Sequence, residues 1–479
     1  MAEAMVRGRQ RRSREPDRRS GRAGLDSLGL PVGARVWAIG VLAAGLAGTL
    51  VLWATHHGAR DLMSPGARVT SLGRLTGLLC ALFFALALVM MARPPRLERA
   101  FGQDQLVRLH RAVGVGAFFL MLAHIVLVTW GYSAGAGLGL VAEFKDLVVN
   151  YDNMIPATVA TGLMILVVLS SVRMIRRRLR YETWHLLHLW VYVGVGLAVP
   201  HETSLGTDLE GATFLRIGWW AAWVLLAAAV LAWRIGRPVM MSLRHQLVVQ
   251  DVVRENVDSV SIYMRGRNLL DLGAQPGQFF VWRFMTGRGW TRGHPFSLSA
   301  VPTDERLRIT VRDLGDGSGA VSRLRPGIRV LAEGPYGRMH PGVHPGGPAV
   351  LVASGIGITP LRAMLERLRA GPGELTVLYR VTDPDRLVFA GEIELLARMR
   401  GFRVHYLVGP RRRTRRRPSW VPESAGIVSD AQILQLLVPG VAGHEVYVCG
   451  PPGWADSVRQ AALEAGVPAA RIHSEFIDW

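Results

Sequence analysis

Six apolar runs crowd the first half of the chain, near residues 36–54, 70–92, 112–130, 155–172, 184–200 and 213–233. Each is about long enough to cross a hydrocarbon core of roughly 30 Å, where a segment has to satisfy its own backbone hydrogen bonds and therefore folds as a helix. The spacing predicts six transmembrane helices, with one re-entrant segment as the alternative. The apolar excess sits almost entirely in this half, so the 479 residues divide into a membrane part and a water-exposed part of one or two further domains.

A formal charge of +20 raises the question of nucleic acid, but the arginines are distributed as a membrane protein distributes them. One cluster is the N-terminal "RGRQRRSREPDRRSGR". A second, Arg93, Arg96, Arg99, Arg108 and Arg111, follows the second run, and a third, Arg173, Arg176, Arg177, Arg178 and Arg180, follows the fourth. The alternate loops hold Arg60 and Arg68, then only Lys145, then no Lys or Arg in "HETSLGTDLEGATF". The basic segments are read as cytoplasmic, which puts both termini inside a multi-pass protein of the cell membrane, with no role for nucleic acid. Residues 1–35 read as a disordered basic tail and not as a cleaved signal peptide. Only Cys80 and Cys449 occur, so no disulfide framework is expected.

Polar imidazoles inside such runs are costly unless something engages them. His110 and His124 are 14 residues apart in "RLHRAVGVGAFFLMLAHIVLVTW", which on a helix is a rise of about 21 Å and a rotation about 40° short of four turns. The two rings share a face at two depths. His188 and His201 make a second pair in the fifth run. Their separation of 13 residues leaves the rings about 140° apart on a regular helix, and Pro200 offers a local break that could re-aim His201. Two helices with one imidazole each at two depths supply the axial nitrogens of two stacked haems. His185 is an alternative to His188 as the inner ligand. His56 and His57 fall in an outside loop and read as solvated.

From about residue 240 the texture changes to short alternating strands such as "HQLVVQDVV", "SVSIYMRG" and "GQFFVWRF", which predict a small antiparallel barrel over 240–343. Over 344–479 apolar strands ("AVLVASG", "LTVLYRV", "RVHYLVG", "EVYVCG") alternate with helical stretches, predicting a parallel sheet with a crevice at the carboxyl ends of its strands. "SGIGITP" falls at a strand-to-helix turn there, where glycines let backbone N–H groups approach a pyrophosphate. No EF-hand calcium loop occurs.

The order HPFS, GAVS, EGPYG, GIGITP and CGP resembles the ferredoxin-NADP reductase module, and its fusion to a six-helix, paired-histidine membrane domain over 36–235 resembles the ferric reductase and NADPH oxidase superfamily. The resemblance implies that His294, Pro295, Phe296 and Ser297 bind FAD, with His294 near the pyrophosphate and Ser297 near the flavin ring. It implies a phosphate-gripping turn at Gly319, Ala320, Val321 and Ser322. It assigns the NADPH pyrophosphate loop to Gly355, Gly357, Thr359 and Pro360, and the strand end beside the nicotinamide to Cys449, Gly450 and Pro451. Trp479 stands where the family often places an aromatic ring over the flavin, with Trp in place of the usual residue.

The expected cofactors are FAD, NADPH and two b-type haems, the inner held by His110 and His188 and the outer by His124 and His201. Electrons would run from cytoplasmic NADPH to a small acceptor outside, a ferric chelate or oxygen, or to an extracytoplasmic redox protein; a membrane half acting only as an anchor is the third reading. Arg380, at the end of the second strand of the sheet, predicts NADPH preference through a 2′-phosphate, with Asp383 and Asp385 nearby as the counter-signal. Arg74, at the outer end of the second run, is read either as meeting a propionate of the outer haem, where it would favour an anionic acceptor or superoxide, or as snorkelling to the interface.

Overall fold

In the computed structural model, described for residues 32–209, 213–287, 292–313, 315–412, 419–426 and 428–476, the six apolar runs coincide with six long helices. They are α1 (Val32–Thr55), α2 (Arg68–Ala92), α3 (Gln103–Ala136), α4 (Met154–Ser171), α5 (Tyr181–Ser204) and α6 (Thr213–Leu231). Five of the six are long and apolar enough to cross a membrane. The sixth, α5, is long enough, but Glu182, His185, His188, His201 and Glu202 dilute its apolar character. Large side chains such as Phe119, Val126 and Leu225 stand exposed on the outward faces, as lipid and not water would have them. The basic tail and Trp479 lie outside the described residues.

Small residues draw the helices together. A Cβ on Gly73 of α2 would lie 2.8 Å from the Val128 side chain of α3, and one on Gly131 of α3 would lie 2.1 Å from Thr70 Oγ1 of α2. Helix α2 packs along α3 and α4 along α5, whereas α3 and α5 hardly touch through their backbones. That spacing between α3 and α5 is where the histidines lie. The break expected at Pro200 does not form: α5 runs through it to Ser204.

A π-helical turn (Ala232–Gly236) and α7 (Arg237–His245) lead from α6 to the strands. Here β1 (Val248–Arg254), β2 (Ser259–Arg265) and β5 (Arg306–Arg312) form one antiparallel sheet in the order β1-β2-β5. The second, in the order β4-β3-β6, contains β3 (Phe279–Phe284), β4 (His294–Ser297) and β6 (Val330–Tyr336). The antiparallel bridges Val248–Arg329 and Leu298–Ile309 join β1 to β6 and β4 to β5, so the two three-stranded sheets follow one another in the order β1-β2-β5-β4-β3-β6 around a shared core of Ile262, Met264, Phe280, Trp282 and Ile309.

The remaining strands, β7 (Ala349–Ser354), β8 (Leu375–Val381), β9 (Arg403–Val408), β10 (Glu445–Gly450) and β11 (Ile472–Phe476), form a parallel sheet in the order β11-β10-β7-β8-β9. It is covered on one face by α9 (Ile358–Leu365) and α10 (Ala390–Arg400) and on the other by α11 (Asp430–Leu437) and α12 (Pro452–Glu464); α8 (Asp316–Val321) is the short helix between β5 and β6. Helices on both faces explain why β8 is buried along its whole length and carries no polar alternation.

Trp282 is fully buried and its Nε1–H donates to the carbonyl of Phe296 at 2.9 Å, tying β3 to the HPFS strand. Trp282→Ala is expected to destabilise the protein by about 3–5 kcal/mol. Thermal unfolding followed by circular dichroism checks this, and an unchanged transition would remove Trp282 from the core that supports β4.

Candidate redox sites

All four intramembrane histidines come together as the two predicted pairs. His110 of α3 faces His188 of α5 with ring centroids 6.1 Å apart, and His124 faces His201 with centroids 6.4 Å apart. Two imidazoles held trans on one metal ion, each through a nitrogen about 2.0 Å away, have centroids roughly 6.3 Å apart. In each ring Nδ1 is already engaged. It meets the carbonyl of Ala87 (3.2 Å) for His110, of Gly73 (2.8 Å) for His124 and of Ala198 (2.5 Å) for His201. A carbonyl only accepts, so Nδ1 carries the proton and Nε2 keeps the lone pair that a metal needs. For His188 the partner is Ser171 Oγ at 3.3 Å. That hydroxyl donates to Val167 O at 2.8 Å and so accepts from the imidazole. The donor set therefore fits two bis-imidazole haems.

Neighbours hold the rings in place. Gly77 is the residue that makes room for His124, since a Cβ there would lie 2.7 Å from its Nδ1. Trp184 stacks on His188 at 5.2 Å and Arg176 lies over Trp184 at 4.5 Å. The His185 ring lies 6.4 Å from that of Trp184, while His188 is the ring found opposite His110.

At the other end of α2, Arg74 is neither snorkelling nor free. Its Nε and Nη2 grip the Asp208 carboxylate at 3.1 and 2.5 Å, Nη1 reaches Asp61 at 3.1 Å, and Nη2 also donates to His56 O at 2.7 Å. Two carboxylates offset one guanidinium, so the open positive potential expected at this mouth is neutralised within the protein.

In the β domain, β4 pairs with β3 so that His294 sits opposite Trp282 and Ser297 opposite Phe279. The His294 ring stacks on Phe296 at 5.8 Å. Burial, reinforced by Arg292 and Arg283, pushes the His294 pKa down to about 4, so at neutral pH the ring is uncharged and the positive charge beside it belongs to the arginines. Gly319, Ala320 and Val321 end α8, with Val321 buried in the core and Ser322 Oγ donating to Gly319 O at 2.9 Å.

A cleft of about 360 Å³ opens at the carboxyl ends of β7, β8 and β10, lined by Ser354, Gly355, Ile356, Arg380, Gly450 and Pro451, with Asp258 and Arg312 contributed by the β domain. Gly355 adopts φ +56°, and a Cβ on Gly357 would lie 2.2 Å from the Cys449 carbonyl. The GIG turn thus rests directly on the CGP strand end. Thr359 and Pro360 are buried in the first turns of α9 behind it. Cys449 itself points its thiol into the core, where burial pushes the thiol pKa well up, so its backbone and not its sulfur serves the cleft. Arg380 donates from Nη2 to Gly409 O at 3.1 Å while its buried Nε has no partner. Asp383 spends its side chain on the Asp385 amide at 3.0 Å, away from the cleft lining.

Comparison with known proteins matches two separate stretches of the chain. Residues 76–199 match a family model for the ferric reductase like transmembrane component, and residues 351–460 match one for the oxidoreductase NAD-binding domain. Ferredoxin--NADP reductase B of Sorangium cellulosum is 32% identical over 178 residues, which are 36% of this chain and 71% of that protein. Through this module the chain belongs to the ferredoxin-NADP reductase family. Its reductase module is also similar to the ferredoxin reductase component of 3-ketosteroid-9-alpha-monooxygenase from Mycolicibacterium smegmatis, 28% identical over 240 residues, with 48% of this chain and 64% of that relative's length covered. Among solved structures, the flavohemoglobin of Malassezia yamatoensis aligns with a TM-score of 0.42 at 14% identity, covering 88% of this chain and 98% of that one. The FAD/NAD-binding domain of nitric oxide dioxygenase from Vibrio cholerae aligns at 0.37 and 20% identity, covering 48% and 97%. In this chain a segment similar to the ferric reductase like transmembrane component is thus joined to a module similar to NAD-binding ferredoxin reductases.

Two features of these sites escape a reading of single residues. The Gly73-x-x-x-Gly77 spacing is visible in the sequence as a helix-packing signal, yet only the fold shows that Gly73 supplies the carbonyl for His124 and Gly77 the space beside it. Ser171 gives no such signal, because its meeting with His188 joins two helices. Gly357→Ala would drive a methyl group into the Cys449 carbonyl and is expected to cost about 1–3 kcal/mol and to raise the KM for NADPH. Steady-state dye reduction measures the second effect, and an unaltered KM would separate the GIG turn from nicotinamide binding.

Proposed function

We propose that this protein passes electrons from cytoplasmic NADPH across the membrane to a small acceptor outside, with FAD and two b-type haems as its cofactors. The observation that carries the reading is the pair of imidazole couples, 6.1 and 6.4 Å apart with every Nδ1 engaged. When bound, FAD splits the two electrons of a hydride into single ones and the haem irons relay them. The residues do the rest. His110 with His188 holds the inner group and His124 with His201 the outer one, on six spans that include α5, with both termini inside. Each group would be held by two imidazoles, so an acceptor would take its electron at the group's edge.

On the reductase side the stretches 240–343 and 344–479 act as separate flavin and nicotinamide domains. His294 to Ser297 and Gly319 to Ser322 bind FAD. Gly355, Gly357, Thr359, Pro360, Cys449, Gly450 and Pro451 hold NADPH through backbone groups, and Arg380 takes the 2′-phosphate. Support for this last role comes from its place in the cleft lining, beside the exposed Arg386. Glu475 on β11 accepts from the amides of Arg338 and Met339 at 3.1 and 3.2 Å, just after the EGPYG strand, and the aromatic role over the flavin is assigned to Trp479. Arg74 organises the outer mouth through Asp208 and Asp61. With its charge neutralised it gives neither an anionic ferric chelate nor superoxide a special advantage.

An optical spectrum of the purified protein under anaerobic NADPH tests the whole reading: two low-spin haems per chain become reduced, and their absence would overturn it. His124→Ala is expected to remove one haem and leave the other reducible by NADPH; a variant retaining both would refute the ligand assignment. Arg380→Ala is expected to raise the KM for NADPH about tenfold or more, the range for losing a charge-assisted contact, and to leave the KM for NADH unchanged. Equal effects on both nucleotides would mean that Arg380 does not read the 2′-phosphate.

A further inference from the structure

Glu333 opens the EGPYG strand end and is 3% exposed, yet it is one of the most heavily paired carboxylates in the molecule. Three arginines converge on it from three places in the chain. Arg93 follows the cytoplasmic end of α2 and reaches Oε1 at 3.5 Å; Arg234, in the π-helical turn after α6, also pairs with Oε1; Arg283 of β3 meets Oε2 at 3.1 Å. The Tyr336 hydroxyl donates to Oε1 at 2.9 Å, and the Arg93 guanidinium lies over the Tyr336 ring at 5.3 Å. Burial alone would raise the Glu333 carboxyl, but Arg234, Arg93 and Arg283 hold it below the usual carboxylate range.

Two of the three arginines belong to the membrane half and the carboxylate belongs to the flavin sheet. Arg93 is held in the left-handed region at φ 55°, an uncommon state for a residue with a side chain and one that persists only when its surroundings enforce it. A second ion pair joins the same two bodies, Arg292 just before the HPFS strand with Glu182 at the start of α5, at 3.0 Å. Both pins lie on the sheet β4-β3-β6 or its lead-in, and at the end of the bundle where His110 and His188 meet. A surface ion pair contributes little. A buried carboxylate shared by three cations behaves differently, because removing any partner leaves uncompensated charge in a desolvated place.

We propose that Glu333 is a positioning residue, a latch that fixes the flavin sheet against the inner end of the histidine bundle so that electrons leave the reductase module for the membrane half. The proposal rests on the electron path argued above. Arg93 and Arg234 act through Glu333, and none of the three touches the nicotinamide cleft.

The test uses the full chain in lipid nanodiscs. Under anaerobic NADPH two rates are followed, reduction of a soluble dye that takes electrons at the flavin and reduction of the haems. In Arg93→Gln and Arg234→Gln the dye rate is expected to stay within about twofold of wild type, while haem reduction slows about ten- to a hundredfold, as small misplacements of reacting partners do. Arg234→Lys, which keeps the charge, is expected to recover most of the rate. Glu333→Gln is expected to show the largest loss, and because it leaves three guanidiniums facing one another it is read only alongside the arginine variants. Hydrogen exchange supplies a readout independent of the cofactors: peptides covering 94–106 and 330–340 exchange faster in Arg234→Gln, and those of the parallel sheet do not. Unchanged haem reduction in both arginine variants overturns the latch, as does an equal fall in dye and haem rates, or exchange unaltered at the interface. A wild-type chain that reduces the dye but contains no reducible haem defeats the proposed electron path instead, and the exchange result still decides the latch.

Discussion

The structure depends on keeping four imidazoles usable inside an apolar bundle. A ring buried there without partners would cost several kcal/mol, and one with both nitrogens engaged by protein would have nothing left for a metal. The bundle resolves this by giving each Nδ1 a partner, a backbone carbonyl in three cases and the Ser171 hydroxyl in the fourth. The carbonyls of Ala87 and Gly73 belong to α2, so the close α2–α3 packing permitted by Gly73, Gly77 and Gly131 is part of the site. In the same way α4 lies along α5 and brings Ser171 to His188. Each histidine-bearing helix thus has a dedicated companion, and the two pairs of helices stand apart where the imidazoles meet.

The reductase half solves a different problem, how to bring backbone amides close to phosphates without letting side chains intervene. The parallel sheet places the ends of β7 and β10 side by side, and the GIG turn and CGP strand end touch because Gly357 has no Cβ. Two carboxylates in this half are each shared by more than one arginine. Arg308 and Arg362 share Glu392 across the boundary between the β domain and the parallel sheet, as Arg93, Arg234 and Arg283 share Glu333 across the boundary with the membrane half. Both boundaries that electrons would have to cross are therefore pinned by a carboxylate shared among arginines.

Much of this was legible in the residues themselves. Hydropathy located the six long helices, five of which are long and apolar enough to cross a membrane, and strand alternation followed by β/α alternation marked the antiparallel strands and the parallel sheet. The pairing of His110 with His188 and of His124 with His201 followed from depth alone. Regular helix geometry over His188 and His201 suggested a break at Pro200 that did not form, since a wide gap can be bridged by imidazoles that approach from different directions on a continuous helix. Alternation marked the strands of the β domain, whereas the bridges that join β1 to β6 and β4 to β5 are pairings between distant segments that alternation does not encode.

What the sequence determined by itself was everything governed by solvent and period: which segments lie in lipid, which form strands, and which residue types stand where cofactors would bind. What only the tertiary structure decided was the pairing of charges and hydrogen bonds between distant segments. Arg74 read as a charge open to the outer mouth until Asp208, 134 residues away, came to lie against it. Glu333 was one letter of a flavin motif until the ends of two membrane helices brought Arg93 and Arg234 to its carboxylate. The reason is physical. Hydrophobic burial depends on local composition and can be summed along a chain, whereas a hydrogen bond or ion pair acts over a few ångströms between groups that only the folded chain brings together.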